Sequence, residues 1–433
     1  MRTVRASTFT IKSASIKSKS ASTSVVLNGA RSIRLHEPLF WEQSLTEIAE
    51  TVGMRRVHII AWRDLDDPEA GGSELHAHRI ATLWADAGIQ VTTRTSAVVD
   101  QRSTIERSGY KARRSGGRYS VFPRAALEAA YLSLGQIDGL VEIWNGMPFL
   151  SPLWAHVPKI VFLHHVHAEM WRMTLPTWLA RIGELTEQRL APLVYRGTRI
   201  VTLSESSRAE IASMLKLPLE NIVVVPPGVD ERFSPLGPGS KTGHPLLLAV
   251  GRLVPVKRFE LLLDVFSRLH ERYPELEALI VGEGYKREFL QNRIDRLGAA
   301  GWIKLLGRVE DDNLVELYRR AWVLVSTSLR EGWGMTVTEA AACGTPAVVT
   351  KIAGHADAVV DGETGFLVED THQMVDRVSR LIEDELLRRR MGAAAADRAS
   401  QFTWEATAKG ALIALAEEAL AKQRGSRHTV RKT

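Results

Sequence analysis

The chain has 433 residues, 45% of them hydrophobic and 24% charged, an ordinary soluble balance with material for two or three domains of about 100–200 residues. Its single cysteine, Cys343, excludes an intramolecular disulfide framework and a cysteine-based zinc cluster, and no run of about 18 apolar residues is present to form a spanning helix. The net charge of +6 belongs to the ends: residues 1–36 and 422–433 hold 12 of the 56 basic residues and no Asp or Glu, so the body stands at −6 and lacks the basic face of a nucleic-acid binder.

Residues 1–36, rich in Ser, Thr, Lys and Arg, predict a flexible basic tail. The composition also fits a transit peptide, while the continuous apolar segment of a secretory signal is missing. The cytoplasm is the expected location, with the basic tails able to touch the inner face of an anionic membrane. We assign 1–54 to a basic N-terminal extension and 422–433 to a basic tail.

The body then alternates β-branched runs with helical patterns. Predicted strands are Val57–Trp62, Gln90–Arg94, Gly139–Trp144, Lys159–Leu163 and Arg199–Leu203, with helices at Ser73–Asp86, Thr177–Ala191 and Glu205–Leu215. The Pro-, Gly- and Ser-rich stretch from Arg232 to His244 reads as a linker, centred on 236–244. Alternation restarts with strands Leu246–Gly251, Ala278–Gly282, Ile303–Leu306, Val323–Ser326, Ala347–Thr350 and Gly365–Val368. Helices are predicted at about Glu260–Arg272, Glu288–Leu297, Asn313–Ala321, Thr336–Cys343 and Met374–Met391, and a last one at Trp404–Leu420.

This is the βαβ signature twice over: an α/β protein with two Rossmann-like, doubly wound domains, at 55–235 and 245–402, facing each other across a cleft. The terminal helix, 404–421, completes the first of them. Ligands of such sheets sit beyond the carboxyl ends of the strands. Two facing sheets therefore suit a two-substrate transferase.

Three constellations fall at such strand ends. Glu69-Ala70-Gly71-Gly72-Ser73-Glu74 offers a tight turn with close backbone approach, and Ser73 as a helix cap. Gly251-Arg252, followed by Lys257, offers a fork and a point charge for phosphate oxygens. Glu331-Gly332-Trp333-Gly334-Met335-Thr336 with Glu339 sets one carboxylate in a loop and one on a helix whose first amides can hold an anion. Carboxylates of this kind pair with the vicinal hydroxyls of a ribose and a sugar ring.

With these motifs in this order, the sequence resembles the retaining glycosyltransferases of family 4, whose two-Rossmann architecture is called GT-B. The resemblance runs from about Val57 to Leu420. Its most specific element is Glu331 and Glu339 with seven residues between them, supported by Gly71-Gly72, Ser204-Glu205-Ser206-Ser207, Pro227-Gly228-Val229-Asp230, Gly282-Glu283-Gly284 and Phe402-Thr403-Trp404-Glu405. It implies transfer of a hexosyl group from a nucleoside-diphosphate sugar, of UDP or GDP type, with retention of configuration and with no metal or other cofactor. Glu339 would bind the ribose and Glu331 the donor sugar, with Gly332, Trp333, Gly334, Met335 and Thr336 around it. Arg252 and Lys257 would hold the diphosphate, Gly71 and Gly72 would approach donor phosphate or acceptor, and Arg308 and Val309 would meet the base. His164, first in His164-His165-x-His167, would stand near the donor sugar. Metal ligation by His165 and His167 is the alternative reading of that cluster, without an acidic third ligand at a fixed spacing.

One departure is Ala353-Gly354, where relatives have a Gly pair. The acceptor is open in the sequence: Arg113, Arg114, Arg118 and Arg124 favour a lipid-linked or anionic one, or form a solvated loop. The product would belong to a glycan, a glycolipid or a small glycoside. Two rival classes fit less well. A nicotinamide enzyme would need a third Gly where Arg287 stands, and Gly239-Ser240-Lys241-Thr242 lacks the preceding strand of a P-loop. A non-catalytic nucleotide-sugar binder remains compatible with the same residues.

Overall fold

The structure, a computed structural model, describes residues 40–131, 137–237 and 241–430. Most of the predicted N-terminal extension, residues 238–240 of the predicted linker and the last three residues lie outside the described residues. Gln43–Thr433 form one unit. In chain order the elements are α1 (Leu45–Val52), β1 (Arg56–Ile60), α2 (Gly72–Asp86), β2 (Gln90–Thr95), β3 (Thr104–Arg107), β4 (Tyr110–Arg114), α3 (Val121–Tyr131), β5 (Gly139–Trp144), β6 (Lys159–Leu163), α4 (Met170–Thr174), α5 (Thr177–Leu185), α6 (Ala191–Tyr195), β7 (Arg199–Thr202), α7 (Glu205–Leu215) and β8 (Ile222–Val224). The second half adds β9 (Leu246–Val250), α8 (Phe259–Arg272), β10 (Glu277–Val281), α9 (Arg287–Arg296), β11 (Ile303–Gly307), α10 (Asp311–Arg320), β12 (Val323–Ser326), α11 (Met335–Ala342), β13 (Ala347–Thr350), α12 (His355–Ala358), β14 (Gly365–Val368), α13 (Thr371–Glu383), α14 (Glu385–Ala399) and α15 (Trp404–Val430).

The first sheet runs β3-β4-β2-β1-β5-β6-β7-β8 and the second β11-β10-β9-β12-β13-β14. All pairings are parallel except β3 with β4. In each sheet the order reverses beside its first strand, at β1/β5 and at β9/β12, which are the switch points where a crevice opens for ligands. Residues buried on both faces make the parallel strands read as continuous apolar runs, as in Leu246-Leu247-Leu248-Ala249.

Three expectations are corrected. The segment assigned to the N-terminal extension includes α1, with Ser44 accepting from the Glu47 amide and the Glu47 carboxylate accepting from the Ser44 amide. That capping box, and the buried Ile48, Ala49 and Val52 packed towards α15, make 45–52 a folded helix. The predicted helix at Met374–Met391 is two helices, because Asp384 accepts from the Leu387 amide and starts α14. The terminal helix continues through the predicted basic tail to Val430.

That helix ties the halves together. Val229 donates its amide to Phe402 O at 3.0 Å and Thr407 Oγ1 donates to Pro226 O at 2.8 Å. Trp84 Nε1, on α2, donates to Ala408 O at 2.9 Å. Leu412, Ile413 and Leu415 of α15 are fully buried, each burial stabilising by about 1.5–3 kcal/mol. A Cβ on Gly228 would lie 2.2 Å from Trp404 N, so only glycine lets the two segments cross there.

Candidate active site

The loops after β1, β6, β9 and β12 meet at a cavity of ≈ 590 Å³. Its wall includes Arg252, Lys257, Glu331, His164, Gly71, Gly72 and the run Gly332 to Thr336. Residues far apart in sequence are thus brought together from both sheets. Glu339, Arg308 and Val309 are not among its lining residues.

Lys257 Nζ donates to Glu331 Oε1, and Ser328 Oγ donates to the same oxygen at 2.7 Å. Burial would raise the Glu331 carboxyl, but the adjacent Lys257 ammonium, helped by His355 and the Ser328 hydroxyl, holds it down to about 2. Glu331 is therefore an anion throughout the working range. Lys257 ends a 3₁₀ turn followed by Arg258 at φ +50°. Arg258 Nε donates to Thr327 O at 2.7 Å, and Thr327 Oγ1 donates back to Lys257 O at 3.1 Å. These bonds join the loops after β9 and β12 and fix the ammonium against the carboxylate. No local pattern signalled this role for Arg258 or Ser328.

Arg252 crosses to the first domain. Its guanidinium donates to Glu69 O at 3.2 Å and lies against Gly71, where a Cβ would sit 3.3 Å from Arg252 Nε. Gly71, rather than Ser73, is the N-cap of α2, its amide donating to the Glu74 carboxylate at 2.8 Å. Ser73 stands inside the first turn and accepts from Asn145 Nδ2 at 2.9 Å.

The loop Glu331–Gly334 leads into the N-terminus of α11, with Gly334 at φ +97°. Gly354, at φ +84°, supports it from behind: a Cβ there would lie 2.7 Å from Glu331 O and from Trp333 N. The Ala353-Gly354 departure therefore keeps the glycine that packs the loop. Trp333 borders the cavity, yet its ring is core, edge-on to Phe402 at 5.0 Å. Glu339, one turn along α11, accepts from Tyr318 Oη at 2.8 Å. Burial pushes its carboxyl up to about 7. Arg308 is exposed at the end of β11.

The Ser204–Ser207 motif acts as a clasp between domains. Ser207 Oγ donates to Gly332 O at 3.0 Å and Ser204 Oγ at 3.3 Å. Ser206 Oγ bonds Asp357 and accepts from Gly354 N at 2.9 Å. Arg330 forks onto Glu169 at 3.1 and 3.0 Å and reaches Glu210 at 2.5 Å.

His164 Nε2 lies 3.2 Å from His76 Nδ1, both rings buried. Burial, with His76 and His165 beside it, holds His164 neutral, well below the usual histidine range. His165 stacks on His167 at 5.3 Å, and its buried Nε2 has no partner among the described residues. Burial lowers it to about 4, with Glu331 acting in the opposite sense. No group of three His, Cys, Asp or Glu suited to a metal occurs among the described residues.

This histidine loop is held by Glu187, which sequence reasoning passed over. Its buried carboxylate accepts from the amides of His167 at 2.7 Å and Ala168 at 2.9 Å, and from Trp171 Nε1 at 3.0 Å. Glu187→Ala strands three buried donors, each costing about 1–3 kcal/mol. Denaturant titration is expected to show a loss of at least about 3 kcal/mol; an unchanged midpoint would remove this role.

Two family models divide the body. "Glycosyltransferase Family 4" matches residues 70–233, and "Glycosyl transferases group 1" matches 231–398. The chain belongs to glycosyltransferase family 4. The transferase is 28% identical over 403 residues to the D-inositol 3-phosphate glycosyltransferase of Thermobifida fusca (strain YX), covering 81% of this chain and 90% of that protein. It is 27% identical over 416 residues to the like-named protein of Streptomyces bingchenggensis (strain BCW-1), covering 84% and 89%. Among solved structures, sucrose-phosphate synthase from Thermosynechococcus elongatus superposes with TM-score 0.69 at 18% identity, over 88% of this chain and all of that one. Anabaena Alr3699/HepE in complex with UDP and glucose gives 0.64 at 18%, over 86% and 100%. The transferase has the GT-B fold.

Of the four arginines considered for an acceptor, only Arg118 lines the cavity. Arg114 is buried and structural, donating to Asp64 at 2.7 Å and pairing with Asp66, so it is removed from the acceptor reading. Arg63, not foreseen, does line the cavity, stacked over Trp62 at 3.8 Å.

Proposed function

We propose that this family-4 transferase moves a hexosyl group from a nucleoside-diphosphate sugar to an anionic, hydroxyl-bearing acceptor with retention of configuration. What carries the reading is the convergence of Arg252, Lys257, Glu331 and the first amides of α11 on one cavity between the two sheets. The C1–O bond to the diphosphate breaks, and the diphosphate takes the electron pair. Lys257, Arg252 and the helix amides stabilise that growing charge, a task fixed donors perform without reorganisation. They stand where other enzymes use a divalent cation, so no metal or other cofactor is required. The acceptor hydroxyl attacks the same face of C1 and passes its proton to the departing phosphate oxygen. Glu331, already committed to Lys257 and Ser328, binds sugar hydroxyls and forms no bond to C1. His164 lies along the sugar as a neutral hydrogen-bonding group, while Glu339 takes the ribose hydroxyls, with Arg308 and Val309 towards the base. Arg63 and Arg118 share the single carboxylate of Glu69, at 2.9 and 3.0 Å, which leaves net positive charge for the acceptor, in keeping with the inositol phosphate in the relatives' name. The Alr3699/HepE complex makes UDP-glucose the first donor to try. Such chemistry belongs in the cytoplasm, at or near the inner membrane face.

Calorimetric titration with nucleotide sugars tests this reading. Hydroxyls donate to a carboxylate, so binding prefers ionised Glu339. With its carboxyl at about 7, donor affinity is expected to rise about 10-fold from pH 6 to pH 8. Glu339→Gln should bind weakly and without that slope. The same shift acts oppositely on stability: between the usual carboxylate value and 7 the folded chain holds a proton that the unfolded chain releases, so this contribution falls as pH rises. Failure of every nucleotide sugar to bind would overturn the function; binding with a flat profile would remove only Glu339.

A further inference from the structure

Beside the charged groups, the cavity is lined by apolar side chains. Met170, Trp171, Met173, Leu175, Leu179 and Ile182 come from α4, α5 and the turn between them. A polyol phosphate by itself gives such a wall nothing to bury. The wall also continues out of the cleft. Ile182 lines the cavity and is 48% exposed. It shares one face of α5, at spacings of four and three, with Trp178 and Leu185, which are 64% and 61% exposed. The helical path continues through a π turn at Thr186–Leu190 into α6, where Leu193 is 78% exposed.

Charge says what covers this face. The stretch 170–196 carries Arg172, Arg181, Arg189 and Arg196, all exposed, against Glu184, which pairs with Arg172, and Glu187, which is buried. Exposed Trp and Leu beside Arg, on a helix too polar to span, is the make-up of a segment lying in the plane of an anionic bilayer. None of the described helices is long and apolar enough to cross a membrane.

We propose that the acceptor is lipid-linked: an anionic head group enters the cleft at Arg63 and Arg118, and its apolar chain leaves over Met173 and Ile182 into a membrane on which Thr177–Tyr195 rests. The acceptor half of this rests on the transferase reading; the docking half does not.

The full-length protein is floated with vesicles of phosphatidylcholine, with and without phosphatidylglycerol. Binding is expected only to the anionic vesicles. Part of it will persist at high salt, because inserted apolar surface is not screened as the basic tails are. Trp178→Glu with Leu185→Glu, both outside the donor cavity, should lower the salt-resistant binding by at least about 10-fold. Donor titration of that variant should match the wild type, which keeps this test separate from the transferase reading. If the variant misfolds and loses donor binding, Leu193→Glu alone takes its place, with the same loss expected. Wild-type protein that stays in solution, or vesicle binding that survives these substitutions, would overturn the proposal. So would light scattering showing that they split a dimer, since the face would then join two copies of this chain.

Discussion

Lys257→Met is expected to slow transfer by at least about 10²-fold and also to destabilise the fold. The two losses have different origins. Transfer falls because the departing diphosphate loses a fixed cation. Stability falls because the half-buried Glu331 carboxylate, held at about 2 chiefly by Lys257 against burial, keeps only the Ser328 hydroxyl as a direct partner. Breaking a fully buried pair from one side costs about 3–5 kcal/mol, an upper bound for this half-buried one, whereas removing both partners is close to neutral. Lys257→Met with Glu331→Gln should therefore recover most of the stability and none of the activity. The wild-type carboxyl lies below its unfolded value, so its stabilisation is complete above the usual carboxylate range and is lost as pH falls towards 2. In Lys257→Met, only His355 and the Ser328 hydroxyl oppose burial, so the carboxyl should titrate higher and this stabilisation at neutral pH should shrink. Arg252→Ala separates the effects further. Arg252 is held by the Glu69 carbonyl at 3.2 Å, so transfer should again fall at least about 10²-fold with little change in the melting midpoint. Stopped-time transfer assays beside urea titrations at two pH values read all three variants against the wild type. Full activity in both Lys257→Met and Arg252→Ala would refute the site.

Gly332→Ala is expected to abolish most turnover while each domain stays folded. A Cβ there would lie 2.6 Å from His164 O and 3.1 Å from His164 C, both backbone atoms across the cleft. Contacts that short force something to move. The cheapest movement is to part the domains, which breaks the Ser207 and Ser204 bonds to Gly332 O. The donor loop is then no longer set against the first domain, and small misplacements of this kind cost about 10²-fold in rate. Small-angle scattering should report a larger radius for the variant, and the far-ultraviolet dichroism should be unchanged. A variant that turns over normally would show that the closed contact is dispensable.

The strand positions were legible because parallel strands covered on both faces are continuous apolar runs, and eleven predicted strands are present to within one or two residues. The β3–β4 hairpin was not legible. In β4 the inward positions are Tyr110, Ala112 and Arg114, so the last inward residue is a charge and the alternation fails. Arg114 can be buried only because Asp64 and Asp66 reach it from the loop after β1, a pairing across about fifty residues that no local pattern displays. The eighth strand, Ile222–Val224, was too short to stand out. Helix α1 was passed over because the basic residues preceding it dominated the composition, although its Ser44–Glu47 box was visible in the sequence.

The sequence by itself determined the two βαβ units, the family and the loops that line the cavity, because each of these is written in local spacing of glycines, cations and carboxylates. Tertiary structure alone decided which groups are charged and what they touch. Glu331 and Glu339 are the same residue type eight positions apart, yet Lys257 holds one at about 2 and burial lifts the other to about 7. Glu187 supports the histidine loop, and apolar residues of α4 and α5 come to line the same cavity as Lys257 and Glu331, only once the chain has closed. Burial and long-range neighbours set these properties, and neither is encoded at the positions that display them.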